Sequence, residues 1–289
     1  MKLKYILLTP ILFAFISCSS LKNTENNSTV SSVENPFDNE NSEAGTELTN
    51  DKIWYSGEFY GKSVRGVRSM NDGEHFTSMG NSIDGSVVVK YSYATYESVD
   101  TLFSFMDLAD EDGGPIPIDE YQFSADETKV LIATEQEGIY RRSSKSYYYI
   151  YDLKTKKTTP LSDKKLGKQR LADFSPSGNL VAFVRENNLF YVNTETGKEY
   201  GITYDGKINE VINGGTDWVY EEEFGFHKGF QWNENGTKIA YWKFDESKVK
   251  EFHLDYYGTL YPEEYRFKYP KAGEDNSKIS IHMYDVLGQ

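Results

Sequence analysis

Three segments of this chain repeat one design: an aromatic residue, a polar turn, then a strand of apolar residues. Phe123-Ser124-Ala125-Asp126-Glu127-Thr128 leads into Lys129-Val130-Leu131-Ile132-Ala133. Phe174-Ser175-Pro176-Ser177-Gly178-Asn179 leads into Leu180-Val181-Ala182-Phe183, and Trp232-Asn233-Glu234-Asn235-Gly236-Thr237 into Lys238-Ile239-Ala240-Tyr241. The aromatic anchors lie 51 and 58 residues apart. A weaker earlier copy is read at Ile83-Asp84-Gly85-Ser86-Val87-Val88-Val89. Asp-Gly, Ser-Gly and Asn-Gly pairs suit the positive φ of tight strand connections. A second apolar or aromatic strand follows, as in Tyr147-Tyr148-Tyr149-Ile150-Tyr151-Asp152 and Leu189-Phe190-Tyr191-Val192. Strand sets recurring every 40 to 60 residues or so are the mark of propeller blades. A β-sandwich would share the turns, but not the joint recurrence of turn and strand.

The fold class expected is therefore all-β: an incomplete β-propeller of about four blades plus the start of a fifth, opening at Ile279-Ser280-Ile281-His282-Met283-Tyr284-Asp285-Val286. No segment beyond the N-terminal leader reads as strongly helical. The 23 Tyr and 17 Phe fit this reading, since aromatic and β-branched side chains favour half-buried pleated surfaces. An open ring would expose strand edges, so the reading includes a chain cut short before its ring closes.

The first residues belong to another kind of segment. Lys2 and Lys4 precede the apolar run Ile6 to Ile16, which falls short of the roughly 20 residues needed to span a bilayer. Residues 1–17 are thus expected to be a secretory signal peptide, and Cys18, the single cysteine, resembles the lipidated cysteine of a bacterial lipobox. A signal with an incidental cysteine, or a short membrane anchor, would share the same outline. Between residues 19 and 50 stand seven Asn and six Ser, with Phe37 the one aromatic. Such a stretch cannot bury enough apolar surface to offset its ordering entropy. Residues 18–52 are read as a lipidated flexible linker and 53–289 as the partial propeller. The chain would then be secreted across the inner membrane and held by its lipid, in the periplasm or at the cell surface.

The net charge of −14 argues against nucleic acid, whose phosphates call for clustered Lys and Arg. One cysteine leaves no intramolecular disulfide. The histidines His75, His227, His253 and His282 show no metal-ligand spacing, so neither a metal nor a cofactor is expected. No Gly-x-Ser-x-Gly nucleophile elbow occurs, and Gly57-Glu58-Phe59-Tyr60-Gly61-Lys62-Ser63 is one residue short of a phosphate loop. The segment with chemical promise is Asp217-Trp218-Val219-Tyr220-Glu221-Glu222-Glu223-Phe224. In a flat strand its carboxylates would alternate sides, whereas a short helical turn or bend would let them converge on a cation such as an ammonium. A peptide's free amine, with a pKa of about 7.7–8.0, is largely charged at neutral pH. A solvated acidic loop would have the same composition.

That segment resembles the double-glutamate motif of the dipeptidyl peptidase IV family, in the prolyl oligopeptidase clan. The likeness extends through Trp232 to Tyr241 and Tyr269-Pro270-Lys271-Ala272-Gly273. Upstream, Tyr140-Arg141-Arg142-Ser143 followed by Tyr149-Ile150-Tyr151-Asp152 is similar to the blade that carries the family's substrate arginine. The resemblance implies that Glu222 and Glu223 bind a substrate's α-ammonium, and that Arg141, or Arg142 if a one-residue gap intervenes, hydrogen-bonds the first peptide carbonyl. It implies a serine exopeptidase that releases N-terminal X-Pro or X-Ala dipeptides from peptides with a free N-terminus, and that is often a homodimer. The catalytic Ser, Asp and His would lie in a following hydrolase domain, so no catalytic residue is expected in this chain and no peptide hydrolysis from it alone. The alternative is a non-enzymatic lipoprotein propeller that binds a peptide or protein partner.

Overall fold

The structure, a computed structural model, describes residues 48–61 and 66–288. The expected signal peptide, Cys18 and most of the linker lie outside these residues. The chain divides into two compact units at residue 62. In the first, α1 (Asn50–Trp54) is one helical turn that buries none of its residues; Thr49 caps it by accepting the Lys52 N–H at 3.2 Å.

The second unit is built of antiparallel four-strand blades. Blade one orders β1 (Arg68–Ser69), β2 (His75–Ser82), β3 (Gly85–Ser92) and β4 (Ser98–Ser104). Blade two holds β5 (Glu120–Phe123), β6 (Lys129–Gly138), β7 (Ser144–Asp152) and β8 (Lys157–Pro160). Blade three holds β9 (Arg170–Phe174), β10 (Leu180–Arg185), β11 (Asn188–Asn193) and β12 (Glu199–Gly201). In blade four, β13 (Val211–Asn213) and β14 (Phe230–Trp232) share one edge of β15 (Lys238–Asp245), and helix α2 (Trp218–Phe224) lies between them in the chain. The hairpin β16 (Glu251–Tyr256) and β17 (Glu263–Lys268) intervenes before β18 (Lys278–Asp285).

The all-β propeller architecture read from the repeats is thus present, with two corrections. First, β18 does not open a fifth blade. It pairs with β15 along its whole length, Lys238 opposite Asp285 to Asp245 opposite Lys278, and so is an outer strand of blade four. The inserted hairpin had separated it in sequence from its partner. Second, the first repeat is not the Ile83–Val89 segment, which turns from β2 to β3. It is Ser69–His75, between β1 and β2.

The turn chemistry proves the second point. In each blade a backbone N–H just after the inner strand donates to the carbonyl five residues on: Met70 to His75, Ser124 to Lys129, Ser175 to Leu180, Asn233 to Lys238, all at 2.8–3.0 Å. The third turn residue, Asp72, Asp126, Ser177 or Asn235, accepts the N–H two residues later. The next position has positive φ in all four, namely Gly73, Glu127, Gly178 and Gly236. Ser69 stands where the other copies have an aromatic, which hid the first from sequence reading.

Period-two alternation builds the cores between blades. In β6, Val130 and Ile132 face blade one, with Val88 and Phe103, while Leu131 joins Val181 and Phe183 of blade three. In β10 the other set, Ala182 and Val184, packs with Phe230, Trp232 and Ile239 of blade four. Each central strand is therefore apolar on both faces.

Candidate functional site

Antiparallel order decides which loops meet. The turns from first to second strand lie at one end of a blade, so the second-to-third connections and the approaches to the first strands lie at the other. That second end carries the loop 139–143 of blade two and the excursion 214–229 that precedes β14. Blade three lies between them, and its connection there is two residues, Glu186 and Asn187, both at positive φ. Such a tight hairpin leaves room for its neighbours' loops to reach each other.

Helix α2 is too short to stand alone and is held at both ends. Asp217 caps it, Oδ1 accepting the Tyr220 N–H at 3.0 Å and Oδ2 accepting from Ser277 Oγ at 2.6 Å. Gly225 ends it in the left-handed region. Trp218 packs on Tyr269, and Tyr220 against Phe224, Phe226 and Phe244, with centroids 4.5–5.4 Å apart. The excursion closes at a neck where Gly229 N–H donates to Gly214 and Gly214 N–H to Trp242.

Successive helical residues point about 100° apart, so the three glutamates fan out and do not converge as one group. Glu221 turns inward and is 0% exposed. Its Oε1 accepts the backbone N–H of Arg142 at 2.7 Å and of Ser143 at 2.8 Å. Glu222 points to the loop, its Oε2 3.3 Å from Arg141 Nε; the glutamate side chain is 14% exposed and the arginine 75%. Glu223 is exposed. Arg142 is exposed as well and enters the arrangement through its backbone. Sequence reading passed over Glu221. The signal was present, because three acids in a row on a helix flanked by aromatics force one of them toward the core.

Beside the loop opens a cleft of about 580 Å³ lined by Tyr140, Arg141, Arg142, Glu120, Asp173 and His227 among others. Glu222 meets it through Arg141, and neither Glu222 nor Glu223 is part of its wall. Burial lowers the His227 pKa, and the Glu221 charge opposes that shift. Burial likewise raises the Tyr140 hydroxyl well above the ordinary tyrosine value, assisted by nearby Tyr265 and Glu246. The site thus offers an exposed guanidinium against carboxylates in the last turn of a helix. No basic residue occupies that turn, and the helix dipole disfavours anions there, so a cation bound at these carboxylates would offset that cost.

Fold and site together describe a propeller domain that presents acids and an arginine on one face. A family model described as the dipeptidyl peptidase IV (DPP IV) N-terminal region matches residues 124–289, and the chain belongs to that family. The solved Porphyromonas gingivalis dipeptidyl peptidase 4 is similar at 43% identity and TM-score 0.74, over 83% of this chain and 34% of that one. The protein named probable dipeptidyl-aminopeptidase B of Chaetomium globosum is 38% identical over 57% of this chain and 19% of its own length. Its namesake in Emericella nidulans is 36% identical over 61% and 21%. The chain therefore spans about a fifth of the length of these curated relatives.

Proposed function

We propose that this chain is the substrate-recognition propeller of a dipeptidyl peptidase IV-type exopeptidase. Glu222 and Glu223 receive the α-ammonium of a peptide, and Arg141 donates to the carbonyl that follows its first residue. Amine and carbonyl so held leave the second peptide bond at a fixed distance, which measures off a dipeptide. The observation that carries this reading is the Glu222–Arg141 pair, a mostly buried carboxylate 3.3 Å from an exposed guanidinium. The open Arg141 side of the pair is screened by solvent, which weakens the attraction, so a ligand's ammonium at Glu222 and its carbonyl at Arg141 can take the place of the pair. Arg141 rather than Arg142 takes the substrate role, because its guanidinium is the one that lies beside Glu222.

The names of the relatives, dipeptidyl peptidase and dipeptidyl-aminopeptidase, support a peptide with a free N-terminus as the ligand. The test is an NMR titration of the chain with Gly-Pro-Gly-Gly and with its N-acetylated form. The free peptide is expected to shift the Arg141 Nε–H and Arg142 amide signals at millimolar concentration or below. The acetylated peptide, which lacks the charge, is expected to leave them in place. Equal responses to both would end the proposal.

A further inference from the structure

Glu221 is the acid of the triplet to which the resemblance assigns no role, and it is the most deeply buried of the three. Its Oε1 takes both the Arg142 and the Ser143 N–H. The loop they belong to is tied to itself by Ile139 N–H donating to the Ser143 carbonyl at 2.8 Å. Its other flank is packed by Tyr140 near Phe267 of β17, with centroids 6.1 Å apart. Arg141 thus directly precedes two residues fastened to Glu221, and Glu222 directly follows Glu221. A pin between immediate sequence neighbours sets the separation of the two groups that grip the peptide. Arg170 stands behind Glu221; burial lowers its guanidinium pKa and the glutamate's charge opposes that. This nearby cation offsets part of the cost of burying a carboxylate.

We infer that Glu221 is a positioning residue, a ruler that joins helix α2 to the arginine loop and fixes the gap between Glu222 and Arg141. The inference rests on the recognition reading above, and it differs from a simple field effect in what matters: reach, not charge. Glu221→Gln keeps the length and an accepting oxygen. Glu221→Asp keeps the charge but falls one methylene short, and, being a mild change, is the variant to use if Glu221→Ala does not fold.

The experiment measures affinity for Gly-Pro-Gly-Gly by NMR titration, together with hydrogen exchange at the Arg142 and Ser143 amides. Glu221→Gln is expected to stay within about threefold of the parent and to keep both amides protected, while Glu221→Asp loses about tenfold or more and unprotects them. Arg141→Ala is then expected to weaken the parent about tenfold yet add less than about twofold to Glu221→Asp, because a misplaced arginine has little left to lose. If Asp keeps full affinity while Gln loses it, or if Arg141→Ala costs the same in both backgrounds, the ruler is refuted and amine recognition still stands. If Arg141→Ala changes nothing even in the parent, the recognition reading falls and takes the ruler with it.

Discussion

Glu246 follows the last residue of β15 and is 5% exposed. Burial, reinforced by the neighbouring charge of Asp217 and opposed by Lys268, pushes its carboxyl up to about 7. Between the ordinary value of 4.5 and about 7, the folded chain holds a proton that the unfolded chain has released. Stability from this group must therefore fall as pH rises through that window and level off above it. Glu246→Gln should remove the decline and stabilise the protein at pH 8 by about 3 kcal/mol. Urea unfolding of both forms at pH 5 and pH 8 measures it, and parallel pH profiles would show the assignment to be wrong. On the proposed recognition of a peptide amine, Glu222→Ala or Glu223→Ala should each remove a charge-assisted hydrogen bond to the ammonium. A loss of roughly 2–3 kcal/mol, or about 30- to 150-fold in affinity, is expected from the peptide titration. Of the candidate site residues, Arg141, Glu222 and Glu223 were legible because a motif carried them, and Glu221 was passed over. The division of labour inside the triplet was not legible, since it depends on which way a helical turn faces.

At the scale of elements, the excursion carrying α2 depends on its neck. A Cβ on Gly229 would sit 2.6 Å from the Gly215 carbonyl oxygen, a backbone atom that cannot swing aside. Gly229→Ala should cost about 1–3 kcal/mol of stability and weaken peptide binding as well, because the helix is displaced with its neck. A chemical denaturation curve beside the titration separates the two losses; an unchanged midpoint would mean that the neck tolerates opening. The helix entered the sequence reading only as an alternative, a short helical turn or bend, because seven residues give too little periodicity to decide. Its caps, Asp217 and Gly225, were visible, but Asp and Gly are common turn residues too. Strand β18 was misassigned for a different reason. Sequence order places it after a hairpin, and only its pairing with β15 shows which blade owns it.

For the propeller as a whole, the interblade cores are shared property. Phe183, fully buried between blades two and three, packs with Leu131 and Ile150 on one side and Val181 and Val192 on the other. Phe183→Ala should therefore destabilise both blades together by about 3–5 kcal/mol. Hydrogen exchange would report it as a matched loss of protection in β6 and β10, and a loss confined to β10 would show that the blades open independently. Around the inner strands, polar pairs add further links: Arg68 to Glu120 between blades one and two, and Asp173 joined by Gln122 and Lys228 between blades two, three and four. All but Lys228, which precedes β14, lie on the inner strands, and all five line the cleft.

The repeated turn with its following apolar strand was enough by itself to determine an all-β propeller, because backbone φ preferences and period-two burial are local properties of the chain. The acidic motif likewise marked where to look for a cation receptor. Tertiary structure alone decided that the loop of blade two and the helix before β14 touch across the short hairpin of blade three, that Glu221 turns inward to bind that loop, and that β18 completes an earlier sheet. These depend on residues from about 30 to about 80 positions apart meeting in space, and no local pattern carries that distance.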